Sequence, residues 1–256
     1  MRLTEAIRAT RQWVPFTART VGYGTVSLTL GPLTADRRAS LWAMRRWCQV
    51  SARSLNIEVV TDGTENVPES GPFVYCSNHQ SLLDVLVLGG ALPGDFKWAA
   101  KRELFKIPFL GWHLALAGHV PVERKAGARA AAEVISKFED VLSAGKPLLV
   151  FPEGTRSENG ILHPFKNGGF YASVRKNAPV VPVALEGTHH LMHKGALDAG
   201  DGTTMRLVRV RIGKPLLPKT EGREGVRVAE LRDRTYAAVL EMHRAIGGTP
   251  PEAPAV

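Results

Sequence analysis

Cysteine is scarce: Cys48 and Cys76 are the only two in 256 residues, which gives neither a disulfide framework nor a metal-binding spacing. Cys76 falls in an apolar run and reads as core packing, so a reducing, cytoplasmic setting is expected. No G-x-S-x-G string occurs, which excludes the serine elbow of the α/β-hydrolases. No uninterrupted apolar run reaches the roughly 20 residues of a simple membrane span. Lysine is absent from the first 60 residues, where nine arginines face three acids and supply +6 of the net +9 charge. Charge placed this way points to an anionic surface, either phospholipid headgroups or nucleic acid. No nucleic-acid motif is present and tryptophans interleave the arginines, so lipid is the expected surface.

Residues 13–33 are apolar on balance but are interrupted by Pro15, Arg19, four threonines and three glycines. That is a poor pattern for a transmembrane helix, and it lacks the small-residue cleavage site of a signal peptide. Residues 36–56 place Leu41, Met44, Cys48 and Leu55 on one side of a helix, with Arg38, Arg45, Arg46 and Arg53 towards others. Trp42 and Trp47 add interfacial aromatics, and such a helix lies in a membrane interface with its cations among the headgroups. Residues 1–56 are expected to form a helical membrane anchor that dips into one leaflet. A full span by residues 13–33 is the alternative.

From residue 57 onward, strand-like runs at 57–60, 73–77, 96–100, 118–122, 148–151, 180–185 and 206–212 alternate with helix-period segments. The clearest helix spans 127–144, with Val134, Ile135, Phe138, Val141 and Leu142 on one face and Gly145 as its stop. Another spans 225–246. The alternation predicts an α/β domain over residues 57–246, with a mostly parallel central sheet flanked by helices. Residues 247–256 read as a disordered tail.

In such sheets ligands gather outside the carboxyl ends of the strands. Phe73-Val-Tyr-Cys-Ser-Asn-His79 ends one strand, and Asp84 follows five residues after the histidine. An imidazole held by a carboxylate is a general base for a hydroxyl; with no enzyme serine, that hydroxyl belongs to the substrate. Pairing requires His79 to precede the helix, because one continuous helix would set the two side chains about 140° apart. Ser81-Leu-Leu-Asp84 also fits a capping box with Ser81 as N-cap. A second strand runs into Pro152-Glu153-Gly154-Thr-Arg156. This turn offers a carboxylate, a glycine for close backbone approach and a guanidinium suited to bidentate phosphate contact; a strand cap with a surface ion pair is the plain alternative. Lys101 and Arg124 follow two further strands. One base and three cations at strand ends suit a phosphate-bearing substrate with a free hydroxyl. His113, His119, His163, His189, His190 and His193 lack metal-ligand context and read as structural or exposed.

Asn78-His79-Gln80-Ser81-Leu82-Leu83-Asp84 resembles the H-x4-D block of the glycerolipid acyltransferases. Lys101 to Arg124 looks like that family's second block, and Phe151-Pro-Glu-Gly-Thr-Arg-Ser157 resembles its third. Val181-Pro-Val-Ala-Leu185 resembles the fourth, and all four stand in the family's order within residues 73–187, under half the chain. The chain is similar in particular to the lysophosphatidic acid (1-acylglycerol-3-phosphate) acyltransferase branch.

The resemblance implies transfer of a fatty acyl group from acyl-CoA or acyl-carrier protein to the sn-2 hydroxyl of 1-acylglycerol-3-phosphate, giving phosphatidic acid. It implies His79 and Asp84 as the catalytic pair, with no acyl-enzyme, no metal and no bound cofactor. Lys101, Arg124, Glu153, Gly154 and Arg156 are the implied substrate-binding residues, with Arg156 and Arg124 for phosphate. Glu153 is expected to position glycerol or to hold Arg156. Backbone N–H groups at the helix start after Gln80, or Lys101, are alternative oxyanion donors. Lys166 is either a further charge at the same mouth or a surface lysine. Leu104, Phe105, Ile107, Phe109, Leu110 and Trp112 are either tunnel lining for an acyl chain or ordinary core. The expected partners are a lysophospholipid, the acyl donor and a membrane surface, with no nucleic acid. The expected location is the cytoplasmic face of the inner membrane, monotopic or peripheral. The same blocks would serve another acceptor, such as a lyso-ornithine lipid or glycerol-3-phosphate. A protein that binds lipid without turnover is the further alternative.

Overall fold

The computed structural model describes residues 3–123, 127–157, 159–192, 199 and 204–251. Two helices open the chain, α1 (Leu3–Leu30) and α2 (Arg38–Ser54). Then follow β1 (Ile57–Asp62), β2 (Val74–Ser77), α3 (Asp84–Ala91), β3 (Lys97–Lys101), α4 (Leu110–Leu116) and β4 (Val120–Val122). The second half contains α5 (Ala128–Ser143), β5 (Leu148–Val150), α6 (Gly168–Lys176), β6 (Val180–Glu186), β7 (Arg206–Ile212) and α7 (Glu224–Ala245). Each of the seven strand-like runs becomes a strand, with ends shifted by at most two residues. Residues 252–256 of the expected tail lie outside the described residues, and 247–251 form neither helix nor strand.

The sheet runs β1-β7-β6-β2-β5-β3-β4, parallel at every pairing except β6 with β7. Period-two geometry sends Val74 and Cys76 of β2 to one face and Tyr75 to the other. Both faces are covered, which is why β2 shows an apolar run rather than polar alternation. Val74 and Cys76 belong to a core layer with Phe138 and Leu142 of α5, Phe170 of α6 and Leu231 of α7. Tyr75 belongs to the opposite layer, with Met44 and Cys48 of α2, Leu86 and Leu88 of α3, and Phe96. Each fully buried large apolar side chain in these layers contributes roughly 1.5–3 kcal/mol. Burial pushes the Cys48 thiol up to about 12 and the Cys76 thiol well above its ordinary range, so both act as packing groups.

The N-terminal pair packs onto this domain: α1 lies along α2 and against α4, and α2 lies on α3. Gly89 permits the last approach, since a Cβ there would sit 2.5 Å from Cys48 Sγ. Trp13, Leu30, Leu33 and Trp42 are exposed on the two helices and the turn that joins them. Among the described residues no helix is long and apolar enough to cross a membrane; residues 13–33 form most of α1 and the short turn after it.

Candidate active site

β2 sits between β6 and β5, and all three run parallel, so their carboxyl ends open on one edge of the sheet. His79 follows β2, the Glu153–Arg156 turn follows β5, and Glu186 ends β6. Asn78 stitches the first and last of these together. Its Oδ1 accepts the Leu185 N–H and its Nδ2 donates to the Leu185 carbonyl, both at 2.8 Å. The amide thereby continues the β2–β6 ladder for one further step and leaves His79 at the point where the strands part.

The His79 backbone is clamped by the third block. Its N–H donates to Glu153 Oε1 at 2.6 Å, and its carbonyl accepts the Ser157 N–H at 2.8 Å. The ring stacks on Phe151, with centroids 4.0 Å apart and planes 15° apart. Nδ1 meets Asp84 Oδ2 at 2.7 Å. The helix α3 starts only at Asp84, so His79 lies before it, as the pairing requires. Nδ1–H donation to the carboxylate fixes the tautomer and leaves Nε2 with no protein partner among the described residues, ready to accept a proton.

Asp84 also serves the chain that carries it. Oδ2 accepts the N–H groups of Gln80 at 2.6 Å and Ser81 at 3.0 Å. The carboxylate half of the capping box is therefore present. The Ser81 hydroxyl accepts the Leu83 N–H at 3.4 Å and donates to the Met192 carbonyl at 2.9 Å. Capping and imidazole pairing coexist on one carboxylate. One consequence is that the Gln80 and Ser81 N–H groups are committed to Asp84 and do not form an oxyanion cradle.

A cavity of about 440 Å³ opens beside the pair and is lined by His79, Phe151, Lys101 and Arg156. The rest of its wall is largely apolar, with Phe16, Trp47, Leu86 and Trp98 among the contributors. Leu104, Ile107, Phe109 and Leu110 of the second block line it as well, whereas Phe105 and Trp112 do not. Arg156 is half-buried and has no carboxylate partner among the described residues. Lys101 is exposed and lies 3.4 Å from Glu103. Arg124 lies outside the described residues. His79, Lys101 and Arg156 are thus brought to one cavity.

Glu153 does not pair with Arg156. Its side chain is fully buried, and its second oxygen accepts the His163 N–H at 2.9 Å. Burial pushes its carboxyl up to about 7, opposed by the backbone donors from His163 and His79 and aided by the charge on Asp84. Gly154 has φ +72°, a left-handed conformation that favours glycine, and the end of the Lys166 side chain lies over it. Lys166 is exposed and is not part of the cavity wall.

Behind Asp84 lies a polar cluster that spacing did not reveal. Thr188 Oγ1 donates to Asp84 Oδ1 at 2.5 Å, and Gln80 Nε2 donates to Glu186 Oε2 at 2.7 Å. The same Glu186 oxygen meets His243 Nε2 at 2.6 Å. Glu186, His189 and His190 bring ligand-type atoms within 4.8 Å of one another; His193 lies outside the described residues. His113 and His119 are buried and line the same cavity as His79, and burial lowers His113 to about 4 and His119 well below its ordinary range.

Residues 58–186 match the acyltransferase family. A chloroplastic 1-acyl-sn-glycerol-3-phosphate acyltransferase of Brassica napus is 39% identical over 158 residues, which cover 60% of this chain and 44% of that protein. The chain thus spans less than half the length of this plant relative. The 1-acyl-sn-glycerol-3-phosphate acyltransferase of Saccharomyces cerevisiae is 30% identical over 89% of this chain and 74% of its own length. The crystal structure of the 1-acyl-sn-glycerophosphate (LPA) acyltransferase from Thermotoga maritima is similar with a TM-score of 0.77 at 28% identity, covering 98% of this chain and 99% of that one. With half its length matched to one family and these relatives beside it, the chain belongs to the acyltransferase family, alongside the 1-acyl-sn-glycerol-3-phosphate acyltransferases.

Proposed function

We propose that this protein transfers a fatty acyl group from acyl-CoA or acyl-carrier protein to the sn-2 hydroxyl of 1-acylglycerol-3-phosphate, giving phosphatidic acid. The observation that carries the reading is the open Nε2 of His79 in the wall of a largely apolar cavity, with Nδ1 held by Asp84. An alcohol is a weak nucleophile near neutral pH, so Nε2 takes the hydroxyl proton as the oxygen attacks the thioester carbonyl. A C–O bond forms and a tetrahedral oxyanion results. The C–S bond then breaks, and the proton held on Nε2 passes to the departing thiolate. Asp84 stabilises the imidazolium between the two transfers. No acyl-enzyme forms.

Among the described residues the cations on the cavity wall are Lys101, Arg156 and Arg19, and Arg19 donates to the Ser54 hydroxyl at 2.9 Å. Arg156, with no carboxylate partner among the described residues, suits the acceptor phosphate, and Lys101 is assigned to the oxyanion. Glu153 acts through the backbone of His79 rather than on glycerol. The apolar remainder of the cavity suits acyl chains. Trp13, Trp42, Leu30 and Leu33 on α1, α2 and their turn, amid the N-terminal arginines, seat the protein on the cytoplasmic surface of the inner membrane as a monotopic or peripheral enzyme.

The test is release of free thiol from oleoyl-CoA and palmitoyl-CoA, with and without 1-acylglycerol-3-phosphate in mixed micelles, for wild type and His79→Ala. The expected result is acceptor-dependent release that His79→Ala reduces at least about 10³-fold. Release that ignores the acceptor, or that survives His79→Ala, would overturn the reading.

A further inference from the structure

We propose that Thr188 is a positioning residue for the acyl transfer: its hydroxyl locks the rotation of the Asp84 carboxylate and so holds His79 in the productive tautomer and orientation. The proposal rests on the reading of His79 as general base. Asp84 is fully buried and unevenly loaded. Oδ2 accepts three donors, from His79 Nδ1, Gln80 N and Ser81 N. Oδ1 accepts one, the Thr188 hydroxyl, at 2.5 Å. Thr188 is itself fully buried, and the direction of its single proton is determined by its neighbours. The other acceptor of this hydroxyl among the described residues is Gln80 Oε1, at 3.4 Å. The Gln80 amide nitrogen does not substitute as donor, because its two N–H groups are directed at Glu186 Oε2 at 2.7 Å and the Gly160 carbonyl at 3.4 Å.

A buried carboxylate oxygen left without a donor is costly, and Asp84 would relieve that cost by rotating about its side-chain bond. Such a rotation moves Oδ2 away from Nδ1. Thr188 prevents it, and Thr188 is not part of the cavity wall. Its own turn is fixed, with the Thr188 carbonyl accepting the Leu191 N–H at 3.1 Å. Thr188 lies just beyond the family match, which ends at residue 186, and belongs to none of the four sequence blocks.

The experiment measures kcat and KM for oleoyl-CoA and for 1-acylglycerol-3-phosphate in wild type, Thr188→Val, Thr188→Ala, Thr188→Ser and His79→Ala. Rates are normalised to the folded fraction from thermal melts. Thr188→Val and Thr188→Ala are expected to lose about 10- to 100-fold in kcat with KM for both substrates unchanged. Thr188→Ser, which keeps the donor, is expected to stay within about threefold of wild type. If Thr188→Val does not fold, the Ser and Ala variants decide alone, since they differ only by the hydroxyl. Equal kcat in Thr188→Ser and Thr188→Ala, or wild-type kcat in Thr188→Val, would overturn the assignment. An active His79→Ala would instead overturn the general-base reading on which it rests.

Discussion

Two short imidazole–carboxylate pairs lie at the same edge of the sheet, one through Nδ1 and the other through Nε2, with nearly equal distances and opposite surroundings. His79 meets Asp84 at 2.7 Å and His243 meets Glu186 at 2.6 Å. His79 lines the cavity, and its second nitrogen has no protein partner among the described residues. His243 is fully buried, its Nδ1 has no partner among the described residues, and its ring lies under the turn at Gly248, where a Cβ would come within 2.2 Å of it. Burial resists the charge on Glu186, but hydrogen bonds from His243 and Gln80 outweigh it and hold its carboxyl below the usual range. The His243 pair therefore ties α7 to the loop that carries His79, while the His79 pair has a nitrogen free for substrate. A histidine next to a carboxylate acquires a chemical role from what its other nitrogen faces.

The comparison breaks most sharply at Asp84. Asp84→Asn keeps the shape but sets an amide against the His79, Gln80 and Ser81 donors, and the imidazole loses its fixed tautomer. A fall of about 10³- to 10⁴-fold in kcat is expected, read as acceptor-dependent thiol release at saturating donor. The smallest effect comes from Glu153, which holds the His79 backbone. Its carboxyl rises from 4.5 to about 7 on folding. A raised folded-state value contributes stability that is complete below the unfolded value and is lost as pH rises through the folded one. Wild type should therefore lose stability relative to Glu153→Gln between about pH 4.5 and pH 7, on the order of 3 kcal/mol. Urea denaturation of both proteins at pH 5, 6 and 8 measures it, and a difference that stays flat with pH would rule out the shift.

The readable parts of the molecule are those whose physics is local. The period of Val134, Phe138, Val141 and Leu142 marked α5, and Phe138 and Leu142 are indeed core residues. The apolar run before His79 marked β2, and the five-residue step to Asp84 permitted the pair that forms. What stayed hidden joins residues far apart in the chain through the sheet order. Glu153 reaches the His79 backbone across 74 residues, Thr188 reaches Asp84 across 104, and His243 reaches Glu186 across 57. Glu153 was readable as a carboxylate at a strand end, but its partners depend on β5 lying beside β2. Thr188 had no signal at all, because Glu-Gly-Thr-His-His carries no spacing that points to a carboxylate 104 residues earlier.

The central claim is that cavity access, rather than the carboxylate pairing alone, makes one of the two histidines the base. The direct measurement is kcat for acyl transfer to 1-acylglycerol-3-phosphate by His79→Gln and His243→Gln at equal folded concentration, with thermal melts of each. His79→Gln should melt near wild type and lose at least about 10³-fold in kcat. His243→Gln should melt lower, because a buried partner of Glu186 is weakened, yet keep kcat within about tenfold. A folded His243→Gln as inactive as His79→Gln, or a His79→Gln that still turns over, would contradict the account.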